Sequence, residues 1–382
     1  MSGAAAPPRT AAVAAGCAAG AVALLLYVLT ASRYVASHDA AEFQTLARTG
    51  GIAHAGYPVL VMLLEGFGRL PFSTLPMRAN LLSAISGAIV VGLAAWSGAR
   101  LSGRGAAGLI GAIALALSIT FWKESTHAGV HVFTLVLAVI AFHLAMRCAG
   151  RPSGRDAFLL GLTVGAGLLS HLTILALAPV LIVALVQAAR ARVLRVPHVA
   201  AAVLGLAIGL SAIAYLIAHD RPDQPMNYIQ DTLRPDNAVE LSGGHPPQGR
   251  IERAAWLLSA RQFLGGYVFS PFSDSPRRLR DLVLDGLLND LPLWGWPIAL
   301  YGAWVLVRRR DPTAPWLGLW MAGALFCFLY AARPGMGPIF FLPGLWILSQ
   351  LVAVALGAFA HRSRVAFALA GGLIVLTPLA RL

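Results

Sequence analysis

The sequence predicts an all-α polytopic membrane protein, a bundle of about eleven transmembrane helices with interfacial helices in the outer loops. Three observations predict it. The chain of 382 residues is 58% hydrophobic and only 12% charged, with a mean hydropathy of +0.73, which excludes both a soluble domain and a disordered chain. Its apolar runs recur along the whole length, many near the roughly 20 residues that a hydrocarbon core of about 30 Å requires. Its basic residues flank those runs instead of forming a domain of their own. The net charge of +13 therefore reads as membrane topology, not as a nucleic-acid surface.

The expected spans are 11–31, 79–97, 106–122, 129–146, 157–170, 172–188, 197–218, 292–307, 314–332, 338–359 and 365–380. The first is longer than a signal-peptide core and only Arg9 precedes it, so a retained helix is expected. The stretch 157–188 is too long for one straight helix, at about 48 Å with a rise of about 1.5 Å per residue. Arg147, Arg151 and Arg155 precede it and Arg190, Arg192 and Arg195 follow it, so a hairpin turning near Ser170-His171 is expected. With the N-terminus inside, those six residues join Arg9, Arg100, Arg104, Arg308 to Arg310, Arg362 and Arg364 on the cytoplasmic side, opposed only by Asp156 and Asp311. The expected location is the plasma (inner) membrane, in multiple passes. Arginine outnumbers lysine so heavily, Lys123 being the only one, that the composition resembles that of a GC-rich bacterial genome.

One continuous membrane domain, 1–382, is expected, with two sizeable outer segments at 32–78 and 219–291. Within the first, 57–70 is apolar but carries Glu65 and Arg69, the pattern of an interfacial helix. The second is rich in Pro, Gly and Asp before turning helix-like from Arg250. Cys17, Cys148 and Cys327 have no ligand spacing, so no disulfide framework and no zinc site is indicated. No phosphate loop, HExxH or nucleophile elbow occurs.

Carboxylates are scarce, 16 in all, and Asp39 and Glu42 fall just beyond the first span at a spacing that shares one helix face. The pair suits a base or acceptor-orienting role, and equally a solvated helix start where acids favour the dipole. His54 and Tyr57 flank a Gly-Pro turn, Arg78 and Asn80 open the second span, His171 sits at the hairpin turn, and Arg333 lies at an outer helix end. Singly each has a structural reading: a turn residue, a snorkelling Arg, a wet polar group, an anchor. Together they map to one face of the membrane, where Arg beside carboxylates suits a phosphate-bearing lipid and an acceptor hydroxyl.

These blocks also resemble a known family. Asp39-Ala40-Ala41-Glu42-Phe43, His54-Ala55-Gly56-Tyr57-Pro58, Arg78-Ala79-Asn80-Leu81-Leu82-Ser83, Gly129-Val130-His131-Val132-Phe133-Thr134-Leu135, Ser170-His171-Leu172-Thr173 and Leu258-Ser259-Ala260-Arg261-Gln262-Phe263 occur in family order. The chain is similar to GT-C glycosyltransferases, and most to the protein O-mannosyltransferase-like family of bacteria and eukaryotes. It departs where the family's His-Pro-Pro-Gly is His54-Ala55-Gly56, and where an acid common in the family is His131.

The resemblance implies an inverting transfer of a sugar, mannose or another hexose, from a polyprenyl-phosphate donor on the outer face. The implied acceptor is a Ser or Thr hydroxyl of a secreted or membrane protein. Asp39 is the expected base, with Glu42 orienting the acceptor or sharing the role. His54, Tyr57, Arg78, Asn80, His131, His171, Arg261, Gln262 and Arg333 are the expected substrate-binding residues. The scheme requires no cofactor and assigns no metal ligand; a divalent cation stays open because relatives differ on it. The partners are the lipid-linked donor, the protein acceptor and the bilayer, with no nucleic acid. A lipid or cell-wall glycan as acceptor remains the alternative within the enzyme class. A lipid transporter or flippase is the alternative outside it, although ionisable groups near the bilayer midplane, which a transporter needs, are almost absent.

Overall fold

The computed structural model describes residues 9–233, 247–260, 271–291, 293–331 and 337–379. Helices dominate it, and the only β pairing among the described residues is two isolated bridges. The membrane body begins with α1 (Arg9–Thr30), whose Gly16 and Gly20 lie against Gly92 of α4 (Leu75–Ser102). A Cβ on Gly16 would stand 2.9 Å from the Gly92 carbonyl oxygen. Small residues thus let the two backbones meet, as apolar helices in lipid require.

At 28 residues α4 is about 42 Å long at about 1.5 Å per residue, so it overreaches a hydrocarbon core of about 30 Å. Its N-terminal end, capped by Thr74 Oγ accepting from the Met77 N–H and opened by Pro76, carries Arg78 and Asn80. At the centre lies α18 (Leu342–Arg362), almost wholly buried between α4, α5 (Gly105–Ala116) and α16 (Gly295–Arg308). A stack of Phe142, Trp320 and Trp346 fills the space beside it, with the Phe142 and Trp320 rings 4.8 Å apart.

The expected 106–122 span is not straight. α5 stops at Ala116, and α6 (Ile119–Thr126) leaves at a bend of 72°. Two contacts make the break: Tyr27 Oη donates to the Ala116 carbonyl, and Ser118 Oγ accepts from the Phe121 N–H to cap the new helix. The expected break in 157–188 is present. α8 (Gly154–Leu168) ends before Ser170, and His171 Nδ1 accepts from the Thr173 N–H to start the tight turn Leu172–Leu177 that leads into α9 (Ala178–Arg190).

Among the described residues, six helices have the length and apolar character of a crossing, seven if α5 and α6 together count as one. The other expected spans are helical but short: α8, α16, α17 (Ala314–Phe326) and α19 (Arg364–Leu379) have 15, 14, 13 and 16 residues. Helix length alone therefore does not reach the expected eleven.

On the end that carries the N-terminus of α4, α2 (Asp39–Thr49) and α3 (Pro58–Gly68) form a small cap with its own core of Phe43, Leu46, Leu60, Val61 and Leu64. The segment 57–70 is thus helical as expected, and it packs against α2 and α4. The segment around Met226–Tyr228 closes over this cap. Ile52 pairs with Asn227, its N–H donating to the Met226 carbonyl at 2.9 Å while the Tyr228 N–H donates to Ile52. Gly51 makes this approach possible, since a Cβ there would stand 2.1 Å from the Met226 oxygen.

Candidate active site

α2 begins at Asp39, directly after His38, which adopts a left-handed φ of 57°. Asp39 and Glu42 both occupy its first turn, where the helix dipole favours negative charge. Their fates differ. The Glu42 carboxylate is spent on His54: one oxygen lies 2.6 Å from Nδ1, and the other accepts the His54 backbone N–H at 2.8 Å. Asp39 is exposed, and its carboxylate has no hydrogen bond or ion pair among the described residues.

His54 sits in a turn closed by the Gly56 N–H on the Ala53 carbonyl. Tyr57 follows in a left-handed conformation, φ 48°, immediately before Pro58 opens α3. Two strained non-glycine residues, His38 and Tyr57, therefore flank the acidic turn, a pattern that clusters at functional sites. Tyr57 Oη lies 3.3 Å from His54 Nε2, so the imidazole is held on both sides.

From His54 a row of rings runs into the helical body. His54 and Tyr57 are 5.2 Å apart by centroid, Tyr57 and His171 5.7 Å, and His171 and His131 4.7 Å, with Phe340 closing the far side. Behind them a small cavity is lined by His131, Thr134, Thr173 and Leu342. The buried Nδ1 of His131 has no partner among the described residues.

Burial works against charge on His54, but the Glu42 hydrogen bond and charge, helped by Asp39, outweigh it and hold its pKa above the ordinary value. His171 is driven the other way. Its burial and the neighbouring His131 and His54 push it well below the ordinary range, so it is a neutral hydrogen-bonding group. Burial and the charges of Asp39 and Glu42 raise the Tyr57 phenol, which stays protonated.

The structure brings Asp39, Glu42, His54, Tyr57, His131 and His171 together. Asn80 is present but fully buried and used internally. Its Oδ1 accepts from the Ala128 N–H at 2.7 Å and from Gln44 Nε2 at 3.2 Å, and its Nδ2 donates to Ser32. It ties the α1–α2 link, α2 and the α6–α7 turn to α4, where α7 is His131–Gly150. Arg78 points its Nη1 at the carbonyls of Gly68 and Leu70, 2.8 and 2.5 Å away, and so fastens the loop between α3 and α4. Arg261, Gln262 and Arg333 lie outside the described residues.

Sequence reasoning passed over Glu124, near the end of α6. It makes no hydrogen bond or ion pair among the described residues. Burial, assisted by Asp39 and opposed by Lys123, raises its carboxyl to about 7. The available signal was its rarity, an acid just past the 106–122 apolar run. Among the described residues, no three His, Cys, Asp or Glu side chains converge as a metal site would require.

The helical bundle with its acidic turn at the head of α2 is similar over part of its sequence to protein O-mannosyl-transferases and in fold to a membrane glycosyltransferase-class structure, ArnT. Residues 39–195 match the protein O-mannosyl-transferase TMEM260 N-terminal domain. The mouse protein O-mannosyl-transferase TMEM260 is 28% identical over 174 residues, which are 44% of this chain and 25% of that protein. The chain thus matches about a quarter of the length of this curated relative. In fold it is similar to ArnT from Cupriavidus metallidurans. The crystal structure bound to undecaprenyl phosphate gives a TM-score of 0.57 at 18% identity over 88% of this chain and 59% of that one. The apo structure gives 0.58 at 17% identity over 88% and 58%.

Proposed function

We propose that this protein is an inverting glycosyltransferase that moves a hexose from a polyprenyl-phosphate donor to a Ser or Thr hydroxyl of a secreted or membrane protein at the outer face. One observation carries the reading. Asp39 is an exposed carboxylate with no partner among the described residues, at the head of a helix whose neighbouring acid is bonded to a histidine. A helix held in this way presents one available base at the membrane boundary, and the match to the O-mannosyl-transferase domain starts at that same residue. The fold likeness to ArnT, whose structure holds undecaprenyl phosphate, supports a lipid-linked donor.

In the reaction the acceptor oxygen attacks the anomeric carbon from the face opposite the phosphate. The carbon–oxygen bond to phosphate breaks, its electron pair leaves with the lipid phosphate, and the hydroxyl proton passes to Asp39. His54, Tyr57 and His171 line the donor side with hydrogen-bonding groups.

The test is transfer by purified protein from a polyprenyl-phosphate hexose to a Ser/Thr peptide, with a nucleotide sugar as the control donor. Asp39→Asn should lower turnover by about 10²–10⁴, the usual loss for a general base, with donor affinity unchanged. Turnover from the nucleotide sugar alone, or full activity of Asp39→Asn, overturns the reading.

A further inference from the structure

The second outer segment adds a ring to the row that begins at His54. Tyr228 opens α12 (Tyr228–Thr232), and its ring centroid lies 6.2 Å from that of His54, with the planes 76° apart. Tyr57 meets the same imidazole at 5.2 Å and 83°. Tyr228 therefore lengthens the row outward. It now runs from Tyr228 through His54, Tyr57 and His171 to His131 at the head of α7. Tyr228 lies beyond the residues 39–195 that match the O-mannosyl-transferase domain.

α12 is short, yet it is held from several sides. The Tyr228 N–H donates to the Ile52 carbonyl at 3.0 Å, just before His54. Behind it stands Asp220, only 1% exposed, directly after α11 (Ile213–His219). Its Oδ2 accepts from Arg253 Nε of α13 (Arg250–Leu258) at 2.6 Å. Its Oδ1 accepts from Gln230 Nε2 at 2.8 Å and from Asn227 Nδ2 at 3.4 Å. Asn227 Oδ1 in turn caps α12 by accepting the Gln230 N–H. Asn227 and Gln230 thus face the buried carboxylate, and Ile229 is fully buried in a small core with Leu216, Trp256 and Leu257. Tyr228 is left at the rim of that core, partly exposed, on the side of His54.

We propose that Tyr228 is a substrate-contacting residue that packs its ring against the hexose of the lipid-linked donor. The proposal rests on the glycosyltransferase reading above. A hexose presents a face of C–H bonds and a rim of hydroxyls. Tyrosine offers an apolar ring with a polar tip, so one side chain meets both. The donor is favoured over the acceptor because the row continues inward from Tyr228 to His171 and His131, toward the helical body along which a lipid-linked sugar reaches the site. A buried ion pair adds little net stability over apolar residues of similar volume. The Asp220–Arg253 pair serves instead to fix one arrangement of this segment, with the ring of Tyr228 against His54.

The experiment uses the full chain in nanodiscs and measures binding of polyprenyl-phosphate mannose and of bare polyprenyl phosphate. Wild type is compared with Tyr228→Phe and with Tyr228→Leu and Tyr228→Met, which fill the space without an aromatic ring. Wild type should bind the mannose-bearing lipid more tightly than the bare one. Tyr228→Leu and Tyr228→Met should lose about tenfold in affinity for the mannose-bearing lipid and little for the bare one. Tyr228→Phe should stay within about threefold of wild type, and the KM for an acceptor peptide should be unchanged in all three. An equal loss for the two lipids, undiminished binding of the mannose-bearing lipid without the ring, or a change confined to the peptide KM overturns the proposal. The binding comparison needs no turnover. A wild type that transfers no sugar therefore overturns the glycosyltransferase reading by itself, while equal binding of the two lipids by wild type overturns the Tyr228 contact.

Discussion

At the scale of single residues, the site turns on how two acids three positions apart diverge. Glu42 is drawn inward because His54, brought round by the turn at Ala53–Gly56, offers it two donors. A partner of this kind raises the imidazole pKa despite burial, and the sign of the pH dependence follows. The pair stabilises the fold fully below the unfolded histidine value of about 6.5 and loses that contribution as pH rises through the raised folded value. Glu42→Gln should therefore lower the melting temperature most at pH 6 and progressively less above neutrality, in thermal unfolding of the two proteins side by side. Under the proposed reaction its turnover should fall by less than that of Asp39→Asn, since Glu42 is bonded to His54 and Asp39 is the proposed base. Equal losses would mean that the two acids act as one unit.

At the scale of elements, close helix approach explains why glycine recurs at spacings of four. α8 carries Gly161 and Gly165, and α10 (Val196–Leu210) carries Gly205 and Gly209. A Cβ on Gly161 would stand 2.0 Å from the Ala202 carbonyl oxygen, and one on Gly205 2.0 Å from that of Phe158. Neither carbonyl can withdraw without moving its helix. Gly161→Val should destabilise the protein by about 1–3 kcal/mol, the usual cost of forcing bulk into a packed contact. Gly318→Ala in α17, where nothing lies within 4 Å of the added carbon, should leave the melting temperature unchanged. The two unfolding midpoints, measured in the same detergent, check the contrast.

At the scale of the whole molecule, charge is what is expected to orient the bundle. Arg147 at the end of α7 reaches Asp156 at the start of α8, 2.8 Å away, within the expected cytoplasmic rim. Two of the helix junctions between α4 and α9 fall among Arg residues at 100–104 and 147–155, while the acidic turn lies at the opposite end of α4. Single cysteines at 40 and 125, in a background without Cys17, Cys148 and Cys327, should be labelled by an impermeant reagent from outside. Cysteines at 102, 152, 193 and 309 should require permeabilisation. Outside labelling at 193 would break the hairpin between α8 and α9 as a pair of crossings.

The sequence by itself determined the membrane class, the break at Ser170-His171, the helix at 57–70 and the placing of an acidic pair just past the first span. Those features depend on local hydropathy, local charge and turn chemistry, all of which are written in order along the chain. Tertiary structure decided the 72° bend after Ala116, which needs Tyr27 and Ser118 at the two sides of the break. It also decided that Asn80 and Arg78 bind the chain's own backbone. It tied Glu42 to His54 and left Asp39 exposed. The reason is that a carboxylate's partner is set by whatever segment folds onto it. His54 lies 12 residues from Glu42, and Asp290 lies 170 residues from the helix start it holds. No periodicity or composition along the chain carries that information.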